Sequence, residues 1–254
     1  MSPRRAPVLE PDLEAGLKRL KLAAVRKMAP EVLKTAKFQR WAPEELLRTF
    51  IEAEIAARDA SNEAARRKAA GFPVSRTLEA FDLAESSVPR ATFDHLASLD
   101  WLEAAENVVL VGPAGTGKSH LLLGIGEAAV VRGWKVRYLP AATLVETLYG
   151  GLADNSVGRV IERLLRHDLV IIDDLGFAPL DDVGGDLLFR FVAAAYEHRS
   201  LGVASHWPFE SWGRFLPEHT TAVALLDRLL HHATTVVTSG DSYRMKEARQ
   251  RGGG

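Results

Sequence analysis

Residues 107–119 read Asn107-Val108-Val109-Leu110-Val111-Gly112-Pro113-Ala114-Gly115-Thr116-Gly117-Lys118-Ser119, an apolar run followed by a glycine-rich segment. The glycine-rich segment fits the pattern G-x-x-x-x-G-K-[ST]. Glycines at this spacing let the backbone curl so that successive N–H groups point at phosphate oxygens. The helix expected over residues 118–132 adds the partial positive charge of its N-terminus. We therefore predict a strand, a phosphate-binding loop and a helix in this order.

The polar side chains of the loop have separate expected roles. Lys118 reaches the β- and γ-phosphates of a nucleotide as a point charge, and the Ser119 hydroxyl ligates Mg²⁺. We therefore expect ATP and Mg²⁺ as cofactors. The predicted nucleotide-binding residues here are Gly112, Pro113, Ala114, Gly115, Thr116, Gly117, Lys118, Ser119 and His120.

A second acidic element ends another apolar run, Leu169-Val170-Ile171-Ile172-Asp173-Asp174. A strand that ends in two carboxylates supplies what Mg²⁺ and a hydrolytic water need. We assign Asp173 to the metal and Asp174 to the polarisation of the attacking water. Alternatively, Asp174 caps the turn that follows the strand. The two elements together predict a P-loop nucleoside triphosphatase.

Strands and helices alternate on both sides of these elements. Short apolar runs predict strands over 107–111, 135–139, 169–172, 201–205 and 235–238. Periodic stretches predict helices over 118–132, 141–150, 156–167, 183–198 and 220–232. This alternation predicts an α/β fold with a parallel five-stranded sheet between helices.

The first part of the chain is predicted to be helical and basic. Apolar residues recur at helical spacing up to Met28, Pro30 is expected to break that helix, and a long helix starts at Pro43. Residues 1–76 hold 16 basic and 10 acidic residues, for +6, whereas residues 77–254 hold 16 and 23, for −7. We therefore divide the chain into a small helical domain, 1–75, and an ATPase domain, 76–250.

Eight basic residues are concentrated near the front of the helical domain. They are Lys18, Arg19, Lys21, Arg26, Lys27, Lys34, Lys37 and Arg40. Positive charge held on one face is enough to contact DNA phosphates. The alternative is a solvated helix face, because the charge excess is modest. No base-reading motif is present, so we expect little sequence preference.

Composition excludes several classes of protein. The chain has no cysteine, which excludes disulfide scaffolds, cysteine-zinc sites, iron–sulfur clusters and thiol catalysis. Its formal net charge of −1 argues against a histone-like protein. No apolar run approaches the roughly 18 residues that span a bilayer. We therefore expect a cytoplasmic protein without a membrane partner.

From Gly112 to Lys246 the chain resembles the AAA+ class, and nearly the whole chain is similar to the IstB family of IS21-type transposition helpers. The stretches that carry the resemblance are 77–82, 173–180, 187–189, 196–200, 207–212, 226–232 and 240–246. The last two are the most specific. The resemblance implies an ATPase that assembles on duplex DNA as a ring or helical oligomer, with ATP sites between subunits. It also implies that the partner is a transposase of the same element.

The same resemblance implies three further site residues. Arg228 is expected as a trans-acting arginine finger that stabilises charge on the transferring phosphoryl group. Arg244 is expected as a second sensor that contacts the γ-phosphate; the alternatives are that the two arginines exchange these roles, because their motifs lie close together, or that Arg244 is a solvated charge. His206 stands at the end of the fourth strand, where the family carries a sensor asparagine. The predicted catalytic residues are thus Lys118, Asp174, Arg228 and His206, whereas a surface ion pair with Asp227 or Glu218 is the alternative for Arg228.

Two departures from the family pattern keep other functions open. Asp174 replaces a glutamate, and its shorter side chain places a base roughly 1.5 Å farther back. His206 replaces asparagine and titrates near neutral pH. We therefore expect slow hydrolysis. The alternatives are a DnaC-like replicative helicase loader and a nucleotide-gated regulatory module that hydrolyses ATP very slowly.

Two remaining groups of residues have a structural interpretation beside a functional one. Trp207, Phe209 and Trp212 could stack on bases, but we favour an anchoring role for the loop after the fourth strand. His231 and His232 suggest a metal site. Adjacent residues on a helix point about 100° apart, so we interpret the pair as a helix C-terminus instead.

Overall fold

The computed structural model describes residues 8–216, 219–240 and 242–243. The strands are β1 (Asn107–Val111), β2 (Val136–Pro140), β3 (Leu169–Leu175), β4 (Ser200–Ser205) and β5 (Ala233–Val237). All pair in parallel, and their spatial order is β2-β3-β4-β1-β5. This arrangement confirms the predicted five-stranded parallel sheet.

Helices precede and connect the strands. They are α1 (Pro11–Arg19), α2 (Ala23–Gln39), α3 (Pro43–Ala70), α4 (Arg90–Ser98), α5 (Asp100–Glu103), α6 (Lys118–Val131), α7 (Ala141–Gly150), α8 (Val157–Leu164), α9 (Asp182–Ala195) and α10 (His219–Leu230), with a 3₁₀ segment at Phe209–Arg214. Within the described residues, none of these helices is both long and apolar enough to cross a membrane.

Both faces of the sheet are covered, which explains why its strands are almost continuously apolar. On β1, Val109 and Val111 face one buried cluster, to which α7, α8, α9 and α10 contribute. Val108 and Leu110 face a second cluster, to which α6 contributes. The period-two alternation of a strand thus divides one apolar run between two cores.

The strand order brings the predicted site residues to one edge. β4 lies between β1 and β3, and the three strands run in the same direction. The segments that follow them therefore open at a common carboxyl edge, where ligands bind in open α/β sheets. The opposite, amino edge, where the strands begin, is formed by the segments that precede the strands.

The chain divides into two compact units between Ala65 and Arg66, inside α3. The first unit has its own small core, in which Leu9, Val25 and Ala29 are buried. The Glu54 carboxylate accepts from the backbone N–H groups of Ala24, at 3.0 Å, and Val25, at 3.3 Å. These bonds satisfy donors that the first turn of α2 leaves unpaired.

Two local expectations from the sequence are wrong. Pro30 lies inside α2 and does not end it; the helix continues to Gln39 because its buried face extends to Ala36. The helix predicted over 220–232 ends earlier, at Leu230, so His231 and His232 follow its C-terminus in the turn before β5. The 100° separation of helical neighbours therefore does not apply to this pair. The His231 N–H still donates to the Asp227 carbonyl at 3.1 Å, as expected at a helix end.

Candidate nucleotide-binding site

The glycine-rich loop connects β1 to α6 and depends on backbone angles that only glycine adopts readily. Gly112 has φ +143° and Gly115 has φ +83°. A Cβ atom on Gly112 would collide with the backbone of Thr238, and one on Gly115 would collide with Ser242. Glycine is therefore required at both positions by conformation and by the close approach of a neighbouring segment.

Lys118 begins α6 and is turned into the loop. Its side chain is buried, with 8% of the residue exposed. The ammonium donates to the carbonyl oxygens of Gly112, at 2.7 Å, and Pro113, at 2.6 Å. The positive charge predicted for the phosphates is thus held inside the curl of the loop.

The two residues assigned to the metal are in direct contact. The Ser119 hydroxyl donates to Asp173 Oδ1 at 2.9 Å, and Asp173 is only 3% exposed. The backbone N–H of Asp174 donates to the same oxygen at 2.9 Å. A hydroxyl beside a buried carboxylate is a donor set of hard oxygens, which fits Mg²⁺.

Tyr138, on β2, completes this arrangement and was not predicted from the sequence. Its hydroxyl donates to Asp173 Oδ2 at 2.8 Å. Burial, followed by the charge of Asp173, raises the pKa of Tyr138, so the hydroxyl keeps its proton. The available signal was a polar ring in the apolar segment that pairs with β3, where Tyr138 lies opposite Ile171.

Asp174 and His206 stand at the ends of neighbouring strands. Asp174 is exposed and has φ +56°, in an irregularity of the β3–β4 pairing. Aspartate is among the few residues that tolerate this left-handed conformation. Burial and the charge of Lys118 lower the pKa of His206, against an opposing effect of Asp174. Lys118, Asp174 and His206 therefore share one electrostatic environment.

The C-terminal segment packs on the glycine-rich loop. The Tyr243 N–H donates to the Gly115 carbonyl at 3.0 Å. The Thr116 and Thr238 hydroxyl oxygens lie 2.6 Å apart. The closing motif thus reaches the loop through Ser242 and Tyr243, whereas Arg244 lies outside the described residues.

Arg228 lies at the amino edge, away from the loop of its own chain. Its guanidinium donates to the Ala224 carbonyl at 3.2 Å and lies 4.9 Å from the centre of the Phe189 ring. It lines a cavity together with Asn107, the first residue of β1. The glycine-rich loop follows the other end of β1, so Arg228 and the loop of the same chain lie at opposite edges of the sheet.

The remaining candidates have mainly structural contacts. His120 Nε2 lies 3.3 Å from the Thr77 carbonyl, and its ring meets the Phe81 ring edge-on at 5.3 Å. Trp212 is fully buried and donates to the Trp207 carbonyl at 3.1 Å. Its burial supports the anchoring role and excludes base stacking by this ring.

A five-stranded parallel sheet, a glycine-rich loop and a strand-end carboxylate define a P-loop protein of the AAA+ type. The model of the IstB-like ATP binding protein family matches residues 15–251. The chain therefore belongs to this family, and the resemblance found in the sequence is confirmed.

Relatives from insertion sequences agree with this assignment. A protein of Pseudomonas aeruginosa, named for insertion sequence IS21 and for ATP binding, is 34% identical over 95% of this chain and 91% of its own. A protein of Geobacillus stearothermophilus, named for IS5376 and for ATP binding, is 32% identical over 81% of this chain and 82% of its own.

Solved structures share the fold. DnaA from Aquifex aeolicus, bound to AMPPCP, has a TM-score of 0.55 at 21% identity; the match covers 71% of this chain and about half, 55%, of DnaA. DnaI has a TM-score of 0.56 at 18% identity, covering 65% of this chain and 91% of DnaI. These likenesses establish the AAA+ fold of the second unit.

Proposed function

We propose that the chain is an ATPase that assembles on duplex DNA when it binds ATP and then regulates or recruits the transposase of an IS21-type element. The observation that carries this proposal is the carboxyl edge itself, where Ser119 and Tyr138 bond Asp173 and the ammonium of Lys118 is held inside the glycine-rich loop. Buried and fully bonded polar groups keep their geometry, which suits the recognition of a triphosphate.

The hydrolytic step uses residues at the carboxyl ends of three strands. Lys118 offsets charge on the β- and γ-phosphates, and Ser119 and Asp173 are the residues that would hold Mg²⁺. Mg²⁺, when bound, neutralises charge that develops on the phosphates. Asp174 accepts a proton from the attacking water as the water oxygen bonds to the γ-phosphorus. The bond between the γ-phosphorus and the β,γ-bridging oxygen breaks, and ADP and phosphate are released. His206, uncharged at neutral pH, orients the water or donates to the γ-phosphate.

The nucleotide site is completed by a second chain in this proposal. Arg228 lies at the amino edge, and the loop lies at the carboxyl edge. A head-to-tail contact, which generates rings or helical filaments, brings the two edges of neighbouring chains together. Arg228 then stabilises charge on the phosphoryl group of the neighbour, and ATP favours assembly.

The first unit supplies the DNA contact. All eight basic residues between Lys18 and Arg40 are exposed, so their charges are accessible to phosphates. Phosphate contacts carry no sequence information, which agrees with binding largely independent of sequence. The names of the relatives link this family to insertion sequences, and this link supports a transposase as the protein partner.

A second candidate is a nucleotide-gated module that hydrolyses ATP very slowly. It is favoured by Asp174, whose short side chain starts from an exposed, left-handed backbone position. Turnover measured with and without duplex DNA distinguishes this module from an active ATPase. A preference for single strands together with binding to a replicative helicase would instead favour the DnaC-like loader.

The test is duplex DNA binding by the full chain with ATP, without nucleotide, and with the Lys118→Ala variant. We expect tight binding only for the unaltered chain with ATP. Equal binding in all three measurements would contradict ATP gating.

A charge-matched pair of variants tests the DNA surface. Changing Lys34, Lys37 and Arg40 to glutamine should weaken binding and reduce the salt slope by about 0.9 for each lost phosphate contact. The control changes the exposed Lys135, Arg159 and Arg163 of the second unit to glutamine, which should leave both quantities unchanged. Equal losses of DNA affinity for the two variants would contradict the proposal that the first unit supplies the DNA contact.

A further inference from the structure

Three side chains with metal-binding groups meet at the amino edge of the sheet. Glu197 precedes β4, and His231 and His232 precede β5. One ligand atom of each lies within 4.8 Å of the other two, and all three residues are exposed. The glycine-rich loop follows the opposite end of β1, so this cluster is separate from the proposed nucleotide site.

A buried asparagine connects β4 to the segment that carries the two histidines. Asn107 Nδ2 donates to the Leu229 carbonyl at 3.0 Å, and its Oδ1 accepts from the Leu201 N–H at 2.8 Å. Its backbone N–H donates to the His232 carbonyl at 2.7 Å. One residue thus ties β4, which Glu197 precedes, to the end of α10 and to the turn that carries the two histidines.

The ring of His231 is oriented by a tyrosine. The Tyr196 hydroxyl lies 2.7 Å from His231 Nδ1. A ligating histidine commonly bonds a polar partner through its other nitrogen. This contact occupies Nδ1 and leaves Nε2 for a metal ion.

The donor set selects a class of ion. Two imidazoles and one carboxylate suit Zn²⁺, whereas Mg²⁺ and Ca²⁺ prefer oxygen ligands alone. Tetrahedral Zn²⁺ places its ligand atoms about 3.3 Å apart, and exposed side chains can rotate to close this spacing. The adjacent cavity of about 300 Å³, lined by Glu197 and His232, has room for a water as fourth ligand.

We propose that Glu197, His231 and His232 bind one divalent ion of the Zn²⁺ class. The ion joins the segments that enter β4 and β5, the two neighbours of β1. Because the unfolded chain does not hold these three groups together, binding stabilises the folded state by mass action. Arg228 lines the same cavity, so the ion lies beside the residue proposed to serve a neighbouring chain.

The experiment is a Zn²⁺ titration of the untagged full chain without nucleotide, followed by calorimetry and by thermal unfolding. We expect one ion per chain and a rise in Tm that grows with free Zn²⁺. Co²⁺ in place of Zn²⁺ should give the visible absorption of a tetrahedral site. Absence of saturable binding would overturn the proposal.

Variants assign the binding to the cluster. Glu197→Gln and His231→Gln should each weaken Zn²⁺ binding at least tenfold, and Tyr196→Phe should weaken it about tenfold. His198→Gln is the matched control, because His198 is exposed and adjacent to Glu197 but lies outside the cluster. Unchanged affinity in both Glu197→Gln and His231→Gln would overturn the proposal.

One further control separates this site from the nucleotide site. Asp173→Asn should leave the Zn²⁺ affinity unchanged, because Asp173 lies at the other edge. Loss of the Zn²⁺ signal in this variant would assign the ion to the glycine-rich loop and overturn the proposal that the cluster binds it. ATP binding by Glu197→Gln confirms its folding and tests the proposed nucleotide site separately.

Discussion

The two edges of the sheet hold their polar residues in opposite ways. At the carboxyl edge, Asp173 and Lys118 are buried, and protein groups bond them in fixed positions. At the amino edge, Glu197, His231 and His232 are exposed, and Glu197 and His232 line a cavity. The buried, hydrogen-bonded groups of the carboxyl edge suit a charged ligand that is bound at fixed distances. The exposed groups of the amino edge suit an ion or a neighbouring chain that binds from solution.

The largest effect is expected from the loop lysine. Lys118→Ala removes the charge held inside the loop, so we expect ATP turnover to fall by about a thousandfold or more. Lys135→Ala, at the exposed segment before β2, is the matched control and should keep full turnover. Steady-state phosphate release measures both variants. Similar turnover for the two would contradict the role of the Lys118 charge at the carboxyl edge.

Asp174 should matter for the chemical step and not for binding. Asp174→Asn keeps the shape and the tolerance of a left-handed backbone but removes the base, so turnover should fall about a hundredfold. ATP affinity, measured by calorimetry, should stay the same. Asp182→Asn, at an exposed position that begins α9, is the control. Unchanged turnover in Asp174→Asn would show that another group activates the water.

Tyr138 should act through Asp173. Tyr138→Phe leaves one oxygen of a buried carboxylate without its donor, which should cost about 2 kcal/mol of unfolding free energy. Turnover should fall about tenfold because the metal ligand loses its orientation. Tyr149→Phe removes a comparable bond to the exposed Asp181 and should cost less. Denaturant unfolding and phosphate release provide the measurements; equal losses in both variants would contradict a positioning role.

The smallest effect concerns pH. The pKa of His206 is lowered from 6.5 in the folded chain, mainly by burial. The unfolded chain therefore binds more protons as pH falls below about 6.5, and the folded state loses stability there. His206→Asn should lose less stability on acidification, whereas His198→Asn should behave as the unaltered chain does. Parallel curves of unfolding free energy against pH for all three would contradict this effect.

The site residues of the carboxyl edge are predictable because they belong to short, contiguous sequence motifs. Gly112 to Ser119 forms one pattern, and Asp173 and Asp174 end one apolar run, so each needs only local sequence to be recognised. The strand alternation then fixes which segments lie together. The predicted second strand began at Lys135 and the observed one begins at Val136, a shift of the size that strand ends commonly show.

The amino edge was not predictable because distant segments assemble it. Asn107, Glu197 and His231 meet only after the sheet forms, and the bonds of Asn107 to both segments have no local signature. Tyr138 reaches Asp173 for the same reason, through strand pairing. Helical geometry argues against a shared metal ligand pair at His231 and His232, but α10 ends at Leu230, directly before them.

Whether the two edges act on one nucleotide is tested most directly by mixing two inactive variants. Lys118→Ala lacks a working loop, and Arg228→Ala lacks the residue that serves a neighbour. If the site is shared, the equimolar mixture regains turnover, because about a quarter of its head-to-tail interfaces join an intact loop to an intact arginine. If each chain works alone, the mixture shows only the average of the two variants, and this result would contradict the shared site.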